Sequence, residues 1–101
     1  MSAYISFDSL SDTALAAFKE LCEIAANIAE ESDATLEVED EAVIYTDEDG
    51  DTNTYTLKGA YRLPDEEDPG TYFYAFLFSA ENADRVLVDS PISLISNLQN
   101  Q

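Results

Sequence analysis

Residues 12–46 read DTALAAFKELCEIAANIAEESDATLEVEDEAVIYT, and the change of period inside this stretch decides the fold class. From about Asp12 to Glu31, the apolar residues Leu15, Phe18, Leu21, Cys22, Ala25, Ile28 and Ala29 recur at helical spacing and form one stripe. Ser9 or Ser11 supplies an N-cap, Asp12 falls in the first turn where the helix dipole favours an anion, and no Gly or Pro interrupts Thr13–Ala29. Glu20, Glu23, Asn27, Glu30 and Glu31 fall on the other side, so the helix has one packing face and one carboxylate ridge. After Glu31 the period drops to two. Leu36 and Val38 alternate with Glu37 and Glu39 over Thr35–Glu39, and Ala42–Thr46 resumes after a tight turn at Asp40-Glu41, which predicts a hairpin.

Outward from that hairpin the same rules apply. Asp47-Glu48-Asp49-Gly50-Asp51 carries an Asp-Gly turn signal, and Thr54–Leu63 reads as a third strand with Tyr55, Leu57 and Tyr61 on one side. Pro64-Asp65-Glu66-Glu67-Asp68-Pro69-Gly70 is a loop. Thr71–Ser79 is a fourth strand, apolar on both faces: Tyr72, Tyr74, Phe76 and Phe78 point one way, Phe73, Ala75 and Leu77 the other. Such a run belongs in the interior of a sheet, covered on both sides or half-covered and adhesive. The segment from Ala83 to Asp89 offers a short fifth strand at Arg85–Val88, and Pro91 opens a terminal helix carrying Ile92, Leu94, Ile95 and Leu98. The expected architecture is α+β: one long helix packed on an antiparallel sheet of four or five strands, with a short C-terminal helix, in a single domain over residues 1–101.

Charge is the outlying property. The 101 residues hold 22 Asp plus Glu against 4 Lys plus Arg and no His, a formal net charge of -18, where a small domain is comfortable at a magnitude of about 2–8. With 46% hydrophobic residues the chain still has material for a core, so compaction is expected despite the self-repulsion. Met1-Ser2-Ala3-Tyr4-Ile5-Ser6-Phe7-Asp8 contains no basic segment followed by an apolar one, and no apolar run approaches 18 residues, so a cytoplasmic protein is expected. Cys22 is the single cysteine and sits at a helical core position, which excludes an internal disulfide and a cysteine-based zinc site.

Several chemistries fall on composition. Without His, His-dependent triads and the usual transition-metal sites are missing, and the three glycines form no phosphate-binding loop, so no catalytic activity and no cofactor are expected. Asp47-Glu48-Asp49-Gly50-Asp51 resembles part of an EF-hand loop. Aligned on Gly50, however, it places Tyr45 where the first Asp belongs and Thr56 where the bidentate Glu belongs, between segments that read as strands. Direct nucleic-acid binding fails because four bases cannot overcome the negative field.

The reverse reading is the productive one. Glu37 and Glu39 project from one strand face roughly 6.6 Å apart, a separation similar in scale to successive phosphates of a nucleic-acid strand. The size, the -18 charge and the runs Glu37-Val38-Glu39-Asp40-Glu41 and Asp65-Glu66-Glu67-Asp68 resemble the small acidic inhibitors of phages and mobile elements that imitate nucleic acid, among them anti-restriction proteins, uracil-DNA glycosylase inhibitors and anti-CRISPR proteins. The resemblance implies stoichiometric occlusion of a basic nucleic-acid-binding protein or complex; from charge and hydropathy, no direct contact with nucleic acid or membrane is expected, and the chain is expected to be a monomer or homodimer. The expected contact residues are Glu20, Glu23, Glu30, Glu31, Glu37, Glu39, Asp40, Glu41, Asp47, Glu48, Asp49, Asp51, Asp65, Glu66, Glu67 and Asp68. Tyr45, Tyr55, Tyr61 and the outward face of the Tyr72–Phe78 strand are candidate aromatic anchors, because exposed ion pairs contribute only about 0–1 kcal/mol each. Two other readings stay open: halophilic adaptation, and an assembly domain that dimerises through its apolar sheet face.

Overall fold

The computed structural model describes residues 3–82 and 84–99. In chain order the elements are β1 (Ala3–Ser6), a 3-10 turn at Phe7–Ser9, α1 (Asp12–Glu30), β2 (Thr35–Glu39), β3 (Ala42–Thr46), β4 (Thr52–Pro64), β5 (Tyr72–Ala80), β6 (Arg85–Val88) and α2 (Pro91–Gln99). The α+β architecture matches the expectation, with six strands instead of four or five. Ala83, where the last strand segment was expected to begin, lies outside the described residues.

All strand pairs are antiparallel, in the order β2-β3-β4-β5-β6, and β1 pairs with β4 off that path. The thirteen-residue β4 organises the sheet. Its first part, Thr52–Thr56, pairs with β3, and Gly59–Arg62 pairs with β1. β3 stops at Ala42 while β4 continues, and the N-terminal segment occupies the vacated edge. Four residues, Ala3-Tyr4-Ile5-Ser6, are too few to show a period, which is why the sequence did not announce this strand.

Helix α1 begins where capping chemistry places it: the Ser11 side chain accepts the Ala14 N–H at 3.2 Å. Its buried face keeps Phe18, Leu21, Cys22, Ala25 and Ala29 of the expected stripe and adds Ala14, with Leu15 and Ile28 at its half-buried margins. Phe18 seats its ring against Phe76 and Phe78, with centroids 5.8 and 6.0 Å apart, and Tyr55 stacks on Phe78 at 5.9 Å. Leu94, Ile95 and Leu98 of α2 join the same cluster, so both helices cover one face of the sheet. The last carbonyls of α2 are satisfied from β4: the Tyr55 hydroxyl donates to the Asn97 carbonyl at 3.1 Å, and Asn53 Nδ2 donates to that of Leu98 at 3.0 Å.

β5 is paired on both edges, as its two apolar faces predicted, and it is the half-covered alternative that holds. Phe76 and Phe78 are buried under the helices, whereas Phe73 on the other face is 43% exposed. One expectation needs correction. A bulge shifts the β4–β5 register between Leu57, opposite Phe78, and Gly59, opposite Leu77. The extra residue, Lys58, inverts the alternation, so Tyr55 and Leu57 face the helices while Tyr61 faces outward with Tyr4, 5.1 Å from its ring.

Gly59 is required by this crossing. A Cβ there would collide with the Ile5 carbonyl and lie 2.5 Å from the Tyr4 hydroxyl oxygen, whose own hydrogen bond runs to the Lys58 carbonyl at 3.0 Å. Gly59→Ala is therefore expected to lower unfolding stability by about 1–3 kcal/mol in urea titration, the scale of overpacking. An unchanged midpoint would mean that Tyr4 does not seat on Gly59.

Candidate macromolecular interface

No polar or charged residue is buried among the described residues. Of the sixteen carboxylates expected at the interface, fourteen are exposed and Asp47 and Asp65 are half-buried. The fold does not gather them onto one face. Glu20, Glu23 and Glu30 lie on the solvent side of α1, with Glu31 just past its end. Glu37 and Glu39 belong to the opposite sheet face, since their neighbours Leu36 and Val38 are the ones directed toward the helix layer. The turns Asp47–Asp51 and Asp65–Asp68 sit at the two ends of β4, about 40 Å apart at 3.3 Å per residue. Asp40 and Glu41 stand between them, where the Glu41 carbonyl accepts the Leu57 N–H at 2.7 Å.

Two of these residues also shape their own loops. Asp47 Oδ1 accepts the N–H groups of Asp49 and Asp51 at 3.0 and 2.9 Å, and Gly50 adopts φ 89°. Asp65 Oδ1 accepts the Glu67 N–H at 3.0 Å. The partial EF-hand resemblance thus resolves into a hairpin turn between β3 and β4, whose first Asp closes the turn. Among the described residues no group of three or more acidic, Cys or His side chains is placed to hold a metal ion, and no helix is long and apolar enough to cross a membrane.

Acidic residues also occupy positions where they oppose stability. α1 ends at Ala29-Glu30, with Glu31 as its C-cap and no basic residue in its last turn, so these carboxylates face the negative end of the helix dipole. The chain then leaves the helix through a Schellman closure: the Ala34 N–H reaches the Ala29 carbonyl at 3.0 Å, and that of Asp33 reaches Glu30 at 3.1 Å. Asp33 holds the left-handed position of this closure at φ 57°, and Asp40 a similar one at φ 52°, where glycine carries no Cβ penalty. Asp33 was not among the expected contact residues, and only the helix exit reveals that it extends the Glu30-Glu31 cluster.

The aromatic anchors divide differently from the expectation. Tyr45 and Tyr55 are core residues, 3% and 1% exposed, and Gln99 Nε2 reaches the Tyr45 hydroxyl at 3.4 Å. Phe76 and Phe78 are likewise core. Tyr61 remains at the surface. Beside it on the outer sheet face lie Tyr4 from β1, Leu63 from β4, Phe73 and Leu77 from β5 and Leu87 from β6. Tyr72, 56% exposed on the helix side, carries the Arg62 guanidinium 4.7 Å above its ring.

Cys22 lies at the floor of a groove between α1 and β2, lined also by Lys19, Glu23, Val38 and Asp40. Burial pushes its thiol from 9.0 up to about 12, because the thiolate would lose its hydration. No family model, no characterised protein and no solved structure matches this chain.

Two outcomes follow from these placements. Asp33→Asn removes charge while keeping tolerance of the left-handed backbone, and Asp33→Gly relieves the backbone as well. Thermal or urea unfolding should rank glycine at or above asparagine and both above the native chain, the glycine variant by about 0.5–1 kcal/mol. A native chain as stable as Asp33→Asn would show that charge there is not opposing the fold. For Cys22 the folded thiol titrates above the unfolded one. Its stabilising effect is complete below pH 9.0 and declines as pH rises toward about 12. Stability should therefore fall more steeply above pH 9 in the native chain than in Cys22→Ala, and equal slopes would contradict the burial effect.

Proposed function

We propose that this chain is an acidic nucleic-acid-mimic inhibitor that occupies the basic DNA- or RNA-binding surface of a host defence or nucleic-acid enzyme, in the manner of anti-CRISPR and anti-restriction proteins. The observation that carries the reading is the outward placement of the charge. With 22 acids and 4 bases, eighteen carboxylates lack a partner even if every base were paired, and none of the described ones is buried. Solubility does not require so many.

Placement favours recognition over indiscriminate acidity. Carboxylates stand at the C-terminal end of α1, against its dipole, where neutral residues would serve the fold better. A folded body some 43 Å long, acidic at both ends of β4 and along its helix ridge, offers separate negative clusters for basic side chains to meet. Opposite fields accelerate encounter, and shape-matched close pairs slow dissociation.

The test is capture from a bacterial lysate on the purified protein at near-physiological salt, with elution by a salt gradient and by nucleic acid. Supporting the reading would be stoichiometric recovery of one nucleic-acid enzyme or RNA-guided complex, released by its own DNA or RNA. Binding should weaken at least tenfold between about 50 and 500 mM salt, and also when Glu37, Glu39, Asp40 and Glu41 are reversed to Lys in a variant that keeps its fold. A nonspecific ladder of abundant basic proteins, together with loss of folded structure at low salt, would assign the acidity to halophilic adaptation and overturn the reading.

A further inference from the structure

The outer face of the sheet bears no helix among the described residues, and its second half is apolar. Tyr4, Tyr61, Leu63, Phe73, Leu77 and Leu87, from four neighbouring strands, converge there. Tyr61, Leu63, Leu77 and Leu87 line one shallow groove. A second groove shares Leu63, takes Phe73 as its other apolar wall, and is bordered by Asp65, Glu66 and Glu67. Tyr4, Phe73 and Leu87 are 44%, 43% and 52% exposed. The result is an apolar patch on the order of a few hundred Å², at the scale where such patches mark interaction sites.

We infer that this face docks a basic segment of the partner protein in which apolar side chains alternate with Lys or Arg, the apolar ones seating on the Phe73–Leu87 patch and the cations on the Asp65–Glu67 rim. Charge complementarity selects this occupant. A standard interface takes about 800 Å² from each partner, so the contact must extend past the patch onto its rim. The rim is acidic here, and a second copy of a chain carrying -18 would bring like charges together. The partner's chemistry fits as well: surfaces that hold single-stranded nucleic acid combine Lys and Arg with aromatic side chains that stack on bases. Carboxylates answer only the cations, whereas the patch answers the aromatics. This inference rests on the proposed function in taking the partner to be basic.

The test uses the full chain and three labelled octapeptides, alternating Lys-Leu, Lys-Ser and Glu-Leu, in fluorescence anisotropy at about 150 mM salt, with sedimentation velocity on the protein alone. Lys-Leu is expected to bind at least tenfold more tightly than Lys-Ser, and Glu-Leu not to bind. The variant Phe73→Thr with Leu87→Thr keeps every carboxylate, and it should abolish the Lys-Leu advantage while leaving Lys-Ser binding unchanged. Leu87→Thr alone, at an exposed edge-strand position, should remove at least threefold and serves if the double variant unfolds. Equal binding of Lys-Leu and Lys-Ser, unaffected by the variants, would overturn the docking site and leave the charge-based reading standing. Failure of Lys-Ser with retained, variant-sensitive binding of both Leu peptides would instead count against the role of charge. A dimer dissolved by Leu87→Thr would overturn the inference in favour of self-association.

Discussion

Phe18 lies against Phe76 and Phe78 at ring separations of 5.8 and 6.0 Å, and Tyr55 completes the cluster from β4. This aromatic seam joins the helix layer to the sheet. Fully buried rings of this size supply much of the apolar burial that opposes both chain entropy and the mutual repulsion of the surface carboxylates. The seam contains only one polar atom in need of a partner, the Tyr55 hydroxyl, and that atom caps α2 through the Asn97 carbonyl. The same residues therefore fix the positions of both helices.

A core without charge forces every described carboxylate outward, and this gives the molecule its electrostatic character. Its acidity is not confined to convenient places. The helix end at Glu30-Glu31 puts carboxylates against the negative end of the dipole.

The bulge at Lys58 connects the two surfaces of the sheet. Upstream of it, β4 directs Tyr55 and Leu57 into the helix-covered core; downstream, the inverted alternation directs Tyr61 and Leu63 outward. Gly59 accepts the close approach of β1 and the Tyr4 ring at that point. One inserted residue thus adds Tyr61 and Leu63 to the outer face beside Phe73, Leu77 and Leu87, with the Asp65–Glu67 loop at the same end of β4.

The α+β class, helix α1 with a serine cap at Ser9 or Ser11, the β2–β3 hairpin, β6 and the start of α2 at Pro91 were all legible in the sequence. Each rests on a local signal: a period of 3.6 or 2, a cap, or a turn residue. The net charge was likewise a property of composition alone. Strand β1 was not legible, because its place depends on β3 ending before β4 does. The outward turn of Tyr61 was hidden too, because alternation cannot be counted across a bulge that only pairing with β5 reveals. Tertiary structure also decided that Tyr45 and Tyr55 are core while Phe73 and Leu87 are surface, and that the sixteen carboxylates divide between opposite sides of the molecule. Sequence carries the periodicity of each element, whereas only the packing of one element on another determines which of its faces meets water.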